Sequence, residues 1–441
     1  MIIENALIHT YAFAITGIFA FVLVFALAKY IIRALGIMPG TRFLRRIFVY
    51  PLYSKDKSKE STLYILLRIF LIFLFSRAMI WLIGYAGCLY KGTDWYYLNF
   101  QSDIWSRWDA SHYLGIAENG YQTVGDARLH IVFYPLYPYL VRFFSLGILP
   151  VNLSAYIVSN VCLILSAFYL YLLSKNTYGK KEAQTAVLFF MFSPAAVFFS
   201  IPYTESLFFL LTIMSAYFSR KRRFCLAIVF ASLSAFTRLP GVVSAVFVFF
   251  EMIRSESKRF KRENLRIASR AFAKTASVRF LTCVLILSGF AAYLIVNKVV
   301  TGSAFTFLKY QKEHWGQETG TLFNTASYTI TYAFRPFVDW YRTGVYIPQT
   351  VILAVVLIVF LISMRKAHPA DLAYGVVYFY ITVIPTMLIS GPRYMSAMYS
   401  LYPLLAVISK RNLFFRILVF ILWGCMFIYG SYMYAVEGTF L

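Results

Sequence analysis

Acidic residues are scarce in this chain, and cysteine and histidine are scarcer still. The 441 residues include 18 Asp and Glu, 5 Cys and 5 His, against 42 Lys and Arg. The cysteines stand singly in or beside apolar segments, so their spacing predicts neither a disulfide framework nor a zinc site. The chain also lacks Asp-x-Asp and His-rich spacing, which would favour a bound nucleotide sugar or metal. We therefore expect no metal and no cofactor.

Apolar residues make up 60% of the sequence, and many runs are long enough to cross a bilayer as a helix. The net charge of +24 does not indicate nucleic-acid binding, because the basic residues sit in short clusters between hydrophobic runs. The sequence predicts an all-α polytopic membrane protein. Hydropathy places candidate spans at residues 9–35, 62–90, 152–174, 183–200, 204–219, 280–299, 347–365, 371–389, 394–409 and 413–434.

The apolar run 224–253 is long enough for one tilted span, but "FTRLPGV" interrupts it. Arg238 is costly at the bilayer centre, and Pro240 breaks the backbone hydrogen-bond ladder. We expect two short helices here, giving about twelve spans in all. With this split, 27 of the 42 basic residues lie in inner segments and 10 in outer ones. This distribution agrees with the rule that Lys and Arg accumulate in cytoplasmic loops.

This topology has two long outer loops, 91–151 and 300–346, and a basic inner loop, 254–279, predicted to be a surface helix. The inner loop fits a role in orientation or a contact with anionic lipid. The first apolar run has no basic region before it and no small-residue cleavage site after it, as a removable signal peptide would have. We therefore expect a retained helix. Acidic residues cluster in the first outer loop, namely Asp94, Asp103, Asp109, Glu118 and Asp126. We therefore expect any acid-base chemistry on the outer face. A weak divalent ion near Asp103 and Asp109 is unsupported.

The passage "RWDASHYLGIAENGY" predicts a short helix from Ala110 to Asn119, with Asp109 as its N-cap and Gly120 at its stop. Helical spacing puts Asp109 and His112 on one side. Capping alone explains the aspartate, and Trp108 is explained as an interfacial anchor. A catalytic carboxylate is the other interpretation.

Four segments in order resemble the GPI mannosyltransferase II family, of the GT-C glycosyltransferases. These segments are "RWDASHYLGIAENGY" with "FYPLYPYLVRF", "SPAAVFFSIPYTESLFFLL", "LSAFTRLPGVV" and "SGPRYMSAMYSLYPLL". The resemblance implies a GT-C-like bundle with a helical first outer loop, in a domain covering 61–441. Residues 1–60 then form an additional span and basic loop. The lead-in "GDARLHIVFYPLYP" favours a prokaryotic relative in a cytoplasmic membrane, with its active site facing outside.

The resemblance implies transfer of a sugar, most often mannose, from a polyprenyl or dolichyl phosphate carrier to a glycan or glycolipid hydroxyl. Such a transfer needs a carboxylate base and cations for the leaving phosphate. In-line displacement inverts the anomeric configuration with no covalent intermediate, unlike retaining glycosidases. Asp109 matches the family's Trp-Asp position and is the predicted base, with Trp108 beside it in the substrate site.

Other segments supply the predicted substrate-binding residues. His112 would contact the carboxylate or phosphate, or is a solvated histidine. Glu205 orients substrate or an arginine, or only stabilises its helix start. Arg238 and Arg393, the latter with Tyr394, are candidate phosphate ligands, although both are also explained by snorkelling to the interface.

The segment "FLKYQKEHWGQE" supplies His314 and Trp315 as candidates for the acceptor site, since tryptophan stacks on apolar sugar faces. An interfacial amphipathic helix is the alternative interpretation. For the whole protein, the rival is a transporter or flippase of lipid-linked saccharides. Transporters usually show internal repeats and midplane charges, neither of which is evident in this sequence.

Overall fold

The computed structural model describes residues 2–37, 39–49, 60–92, 104–260, 265–335, 338, 341–410 and 413–438. Within these ranges the chain is almost entirely helical, as the sequence predicted. The helices are α1 (Ile2–Ala34), α2 (Arg42–Phe48), α3 (Thr62–Tyr90), α4 (Asp109–Asn119), α5 (Leu136–Ser145), α6 (Val151–Tyr178), α7 (Lys180–Met191), α8 (Glu205–Arg220), α9 (Phe224–Thr237), α10 (Ala245–Phe260), α11 (Leu265–Val284), α12 (Ser288–Thr301), α13 (Thr306–Trp315), α14 (Leu322–Phe334), α15 (Ile347–Ser363), α16 (Pro369–Val383), α17 (Gly391–Ser396), α18 (Leu401–Ser409) and α19 (Leu413–Tyr432).

Six helical stretches in the described ranges are long and apolar enough to cross a membrane. They are Glu4–Ala34, Thr62–Tyr90, Val151–Tyr178, Lys274–Thr301, Arg342–Ser363 and Leu413–Glu437. The structure thus confirms the membrane architecture, while shorter helices take the place of several other predicted spans. The predicted span 183–200, for example, ends as a helix at Met191, because Pro194 cannot continue the α-helix.

The predicted break within 224–253 is confirmed. Helix α9 ends at Thr237, the backbone of Arg238 is extended (φ −160°, ψ 146°), and a 3-10 turn, Leu239–Ser244, leads into α10. Gly241 permits the turn, since a Cβ there would lie 2.3 Å from the Ala235 backbone nitrogen. The break turns the Arg238 side chain away from the helical hydrogen-bond ladder and makes it available to neighbouring helices.

The basic inner loop does not form the single surface helix predicted for 254–279. Its first residues end α10, residues 261–264 lie outside the described ranges, and its last residues begin α11. Helix α11 continues through a 3-10 turn at Leu285–Leu287 into α12. The predicted orienting and lipid-binding roles of this loop therefore remain predictions.

The additional N-terminal helix packs into the main bundle. Helix α1 contacts α10, α14, α15 and α16, and its inward residues Ala12, Ile15, Phe19 and Val22 join the largest cluster of buried apolar side chains. A second cluster lies beneath the first outer loop, where Trp105 is completely buried between α3 and Tyr434. This second cluster anchors the start of α4.

Candidate active site

A cleft of about 1150 Å³, counting the space at its open mouth, lies between the first outer loop and the later helices. Its wall is made by Asp109 at the start of α4 and by segments within 132–134, 237–240, 311–317 and 381–394. An antiparallel bridge between Thr319 and Pro385 ties the second outer loop to the end of α16. Thr386 N donates to Glu318 O at 2.8 Å in the same pairing. Chain segments that are far apart in the sequence thus form the wall of the cleft.

Arg393 is the centre of the ionic wall of the cleft. Its Nη1 donates to Asp109 Oδ2 at 2.6 Å, and its Nε donates to Glu205 Oε1 at 2.5 Å. The Arg393 side chain is 5% exposed, whereas that of Asp109 is 29% exposed. One buried guanidinium therefore joins a carboxylate that faces the cleft to another that lies behind it.

Arg238 pairs with the same carboxylate from the other side. Its Nη1 donates to Glu205 Oε1, so Glu205 holds two guanidinium groups while being completely buried. Tyr394 lies against both cations, with its ring centroid 5.0 Å from Arg238 Cζ and 5.5 Å from Arg393 Cζ. Glu205 and the Tyr394 ring together stabilise two cations side by side.

The local fold explains where Glu205 and its neighbours point. Glu205 is the first residue of α8, where the helix dipole stabilises an acid. The segment before it is held by Arg77 of α3, which donates to Ala196 O at 2.9 Å and to Met191 O at 2.8 Å. Within the described ranges Arg77 forms no ion pair, so its role is to hold this segment. The sequence analysis did not select Arg77, although an arginine within an apolar span indicates a buried residue with specific partners.

Tyr203 is a second residue that sequence reasoning missed. Its ring centroid lies 4.7 Å from Arg393 Cζ, and its hydroxyl donates to Arg107 O at 3.0 Å. The residue therefore joins the guanidinium to the chain just before Asp109. The Tyr-x-Glu-Ser segment contained the signal, because Tyr203 stands two residues before Glu205.

Helix α4 follows the prediction except at its cap. Trp108, not Asp109, occupies the cap position, with a left-handed φ of 57°, and no side chain caps the helix. The Asp109 carboxylate is instead committed to Arg393. The Trp108 indole donates to Gly438 O at 2.6 Å, and Trp108 is not among the residues that line the cleft. Its predicted part in substrate binding is not supported by a contact with the cleft.

His112 lies one turn after Asp109 but is absent from the cleft lining. Its ring stacks on Phe133 at 4.8 Å and meets His130 at 5.1 Å between centroids. Burial lowers the pKa of His112, with Asp109 opposing the shift, and burial also lowers the pKa of His130. Both rings are therefore expected to be neutral at pH 7.

One end of the cleft lining is aromatic and uncharged. Trp315 lines it beside Phe133, the ring centroids being 6.3 Å apart, and the amide side chains of Gln311 and Gln317 complete this end. His314, the other residue predicted here, is exposed and is not among the lining residues. Asp94 and Asp103 of the first loop lie outside the described residues.

Comparison with known proteins gives a family match for this arrangement. Residues 94–309, just under half of the chain, match the family model described as Mannosyltransferase (PIG-V). The resemblance predicted from the sequence is confirmed over that range. Asp109, Glu205 and Arg238 lie inside it, whereas Arg393 lies beyond its end and is tied to it by two ion pairs.

A curated relative is GPI mannosyltransferase 2 of Schizosaccharomyces pombe. It is 28% identical over 153 residues, which are 32% of this chain and 31% of the relative. The match thus spans about a third of that protein's length. Two solved structures are also similar. ArnT from Cupriavidus metallidurans bound to undecaprenyl phosphate has 12% sequence identity and a TM-score of 0.42, over 83% of this chain and 75% of that one. The oligosaccharyltransferase of Archaeoglobus fulgidus has 13% sequence identity and a TM-score of 0.42, over 84% of this chain and 53% of that one.

Proposed function

We propose that the protein is an inverting glycosyltransferase that moves a sugar, most often mannose, from a polyprenyl or dolichyl phosphate to an acceptor hydroxyl. The proposed setting is a prokaryotic cytoplasmic membrane, with the cleft opening to the outer face. The observation that carries the proposal is the sharing of Arg393 between the cleft carboxylate, Asp109, and the buried Glu205. The match to a mannosyltransferase family over 94–309 supports it.

The two arginines provide the phosphate site. Their guanidinium groups converge on Glu205, and both Arg238 and Arg393 line the cleft. Guanidinium binds phosphate oxygens through paired hydrogen bonds and steadies the charge that develops as the phosphate leaves. Glu205 offsets only part of their positive charge, because it carries one negative charge against two positive ones. Asp109 offsets the rest until the donor arrives.

This arrangement couples donor binding to the activity of the base. The Asp109 oxygen that accepts a hydrogen bond from Arg393 is not available to an acceptor hydroxyl. The donor phosphate competes for Arg393, and its binding frees Asp109 to take the proton from the acceptor hydroxyl. Since Asp109 lies beside the arginine that would hold the phosphate, the released base stands near the sugar carbon that is attacked. One base and one displacement then give inversion.

The acceptor site is proposed at the uncharged end of the cleft. Trp315 and Phe133 offer apolar faces, and Gln311 and Gln317 offer neutral hydrogen-bonding groups. Such a lining suits a neutral glycan, whose rings have apolar faces edged by hydroxyls. His314 lies outside this lining and has no part in the proposal.

The experiment is a transfer assay with purified protein. Polyprenyl-phosphate mannose, glucose and a pentose are each offered with a panel of glycolipid acceptors, and the product's anomeric configuration is read by NMR. Transfer of mannose with inversion supports the proposal. Retention of configuration would refute the single-base mechanism. Movement of the lipid-linked sugar across a vesicle membrane without any transfer would instead favour the flippase.

A further inference from the structure

A second large cavity lies where helices α1, α10, α11 and α16 meet. It has a volume of about 780 Å³, counting its open mouth, and its lining includes Leu27, Ala245, Phe249, Phe280 and Val377. Every lining residue is apolar or aromatic apart from Cys283. We refer to this cavity as the apolar groove. None of its lining residues lines the cleft.

Cations gather at one end of the apolar groove. Arg33 follows the lining residue Tyr30 by one turn of α1, and Arg254 follows Phe249 by about one and a half turns of α10. The Lys29 ammonium is buried beside them and donates to Met364 O at 2.8 Å and to Arg365 O at 2.7 Å. Two helices, α1 and α10, thus place three cationic side chains near the same end of the groove.

Among the described residues, the cations at this end outnumber the carboxylates that contact them. In the part of the chain that the structure describes, Lys29 forms no ion pair, and Arg33 contacts a carbonyl, Val49 O, at 3.0 Å. Arg254 Nη1 lies 3.1 Å from His368 Nε2 and 3.8 Å from Glu251 Oε1, and Glu251 is shared with Arg220 at 2.9 Å. The end of the groove therefore has a charge complementary to an anion.

We propose that the apolar groove binds one anionic phospholipid, with an acyl chain along the groove and its phosphate at Arg33 and Arg254. Hydrocarbon fills an apolar groove in a membrane without a strong preference, because lipid tails and apolar side chains are alike. Selection therefore comes from the headgroup, through attraction by basic residues next to the membrane. This site is separate from the proposed sugar transfer and does not depend on it.

The experiment uses the full-length protein in nanodiscs that contain equal amounts of phosphatidylglycerol and phosphatidylcholine. After transfer to mild detergent, native mass spectrometry counts the lipids retained. We expect one phosphatidylglycerol per chain, favoured over phosphatidylcholine by about tenfold. Arg33→Gln is expected to reduce this preference by about fivefold, as the loss of one basic residue at a membrane surface predicts. Equal retention of the two lipids by the wild type would overturn the proposal.

Leu27→Trp tests whether the groove holds the lipid chain. Leu27 lines the groove and is 46% exposed, so the larger ring fills the groove without disturbing the core. We expect this variant to lose the retained lipid. The matched control is Val24→Trp on the same helix, which is 67% exposed, lies outside the groove and should retain it. Retention by Leu27→Trp, or a lipid-free dimer in which a second copy covers the groove, would contradict the proposal.

Discussion

Arg393 and Asp109 are 284 residues apart in the chain, yet their side chains form an ion pair of 2.6 Å at the cleft wall. The pair joins the first outer loop to a late segment that lies beyond the matched family region. Arg393 is buried while Asp109 is partly exposed. The ion pair therefore fixes the Asp109 carboxylate in position at the surface of the cleft. The predictions for catalysis depend on this contact.

Asp109→Asn should abolish sugar transfer while leaving the fold intact. The amide keeps the size of the side chain but cannot accept a proton, and loss of a general base typically lowers the rate about 100- to 10 000-fold. Arg393 retains Glu205 as its partner, so the thermal midpoint should change little. The control is Asp126→Asn, in the same loop but fully exposed. Near-normal transfer by Asp109→Asn would refute its role as base.

Arg393→Lys should weaken donor binding more than acceptor binding. Lysine keeps the positive charge, but it cannot hold two partners in the planar fork that guanidinium provides. A buried hydrogen bond to a charged group contributes enough that we expect about a tenfold or greater increase in the KM for the donor. Steady-state kinetics with each substrate varied in turn measures this difference.

The control for the arginine is Arg128→Lys, on the exposed surface of the first outer loop, where Arg128 Nη1 donates to Gly125 O. This variant should leave both KM values unchanged. An equal rise of the donor and acceptor KM in Arg393→Lys would show that the arginine supports the cleft as a whole and does not bind the phosphate.

Sequence patterns located the segments of this site, because each carries a local signal. A charge and a proline mark the break at Arg238, and a turn glycine marks the end of α4 at Gly120. The pairing of these segments carries no local signal. The sharing of Arg393 between Asp109 and Glu205 and the bridge from Thr319 to Pro385 depend on long-range packing of helices.

The cap of α4 shows why a local rule failed. An aspartate at a helix start normally caps it by accepting a backbone N–H. Here the charge of Arg393 offers Asp109 a stronger partner, and Trp108 takes the cap position because its indole is anchored at Gly438 O. Tertiary contacts thus overrode a correct local preference. Trp315 lines the cleft while its neighbour His314 does not, a difference that no local sequence pattern indicates.

The outer-loop histidines should make stability depend on pH. Burial lowers the pKa of His112 and of His130 below the usual value, so the unfolded chain binds protons more readily than the folded one. Their contribution to stability is complete above about pH 6.5 and is lost as the pH falls through that value. Thermal unfolding in detergent between pH 5 and 8 measures the dependence.

Replacing both His112 and His130 with glutamine should flatten this pH dependence, because the groups that take up the protons are gone. His314→Gln is the control, since His314 is exposed on α13 and should leave the slope as it is in the wild type. A slope unchanged in the double variant would show that other groups cause the acid sensitivity.

Gly289→Ala should destabilise the bundle where α12 crosses α9. A Cβ at Gly289 would lie 1.8 Å from Ser232 O and 2.9 Å from Phe236 N, so the two helices must move apart. Small residues permit such close approach in membranes, and overpacking typically costs about 1–3 kcal/mol. Gly424→Ala is the matched control, because nothing lies within 4 Å of a Cβ there, and alanine favours the helix. A thermal midpoint lowered only in Gly289→Ala supports this contact, whereas equal midpoints would mean that α9 and α12 are not packed so closely in the membrane.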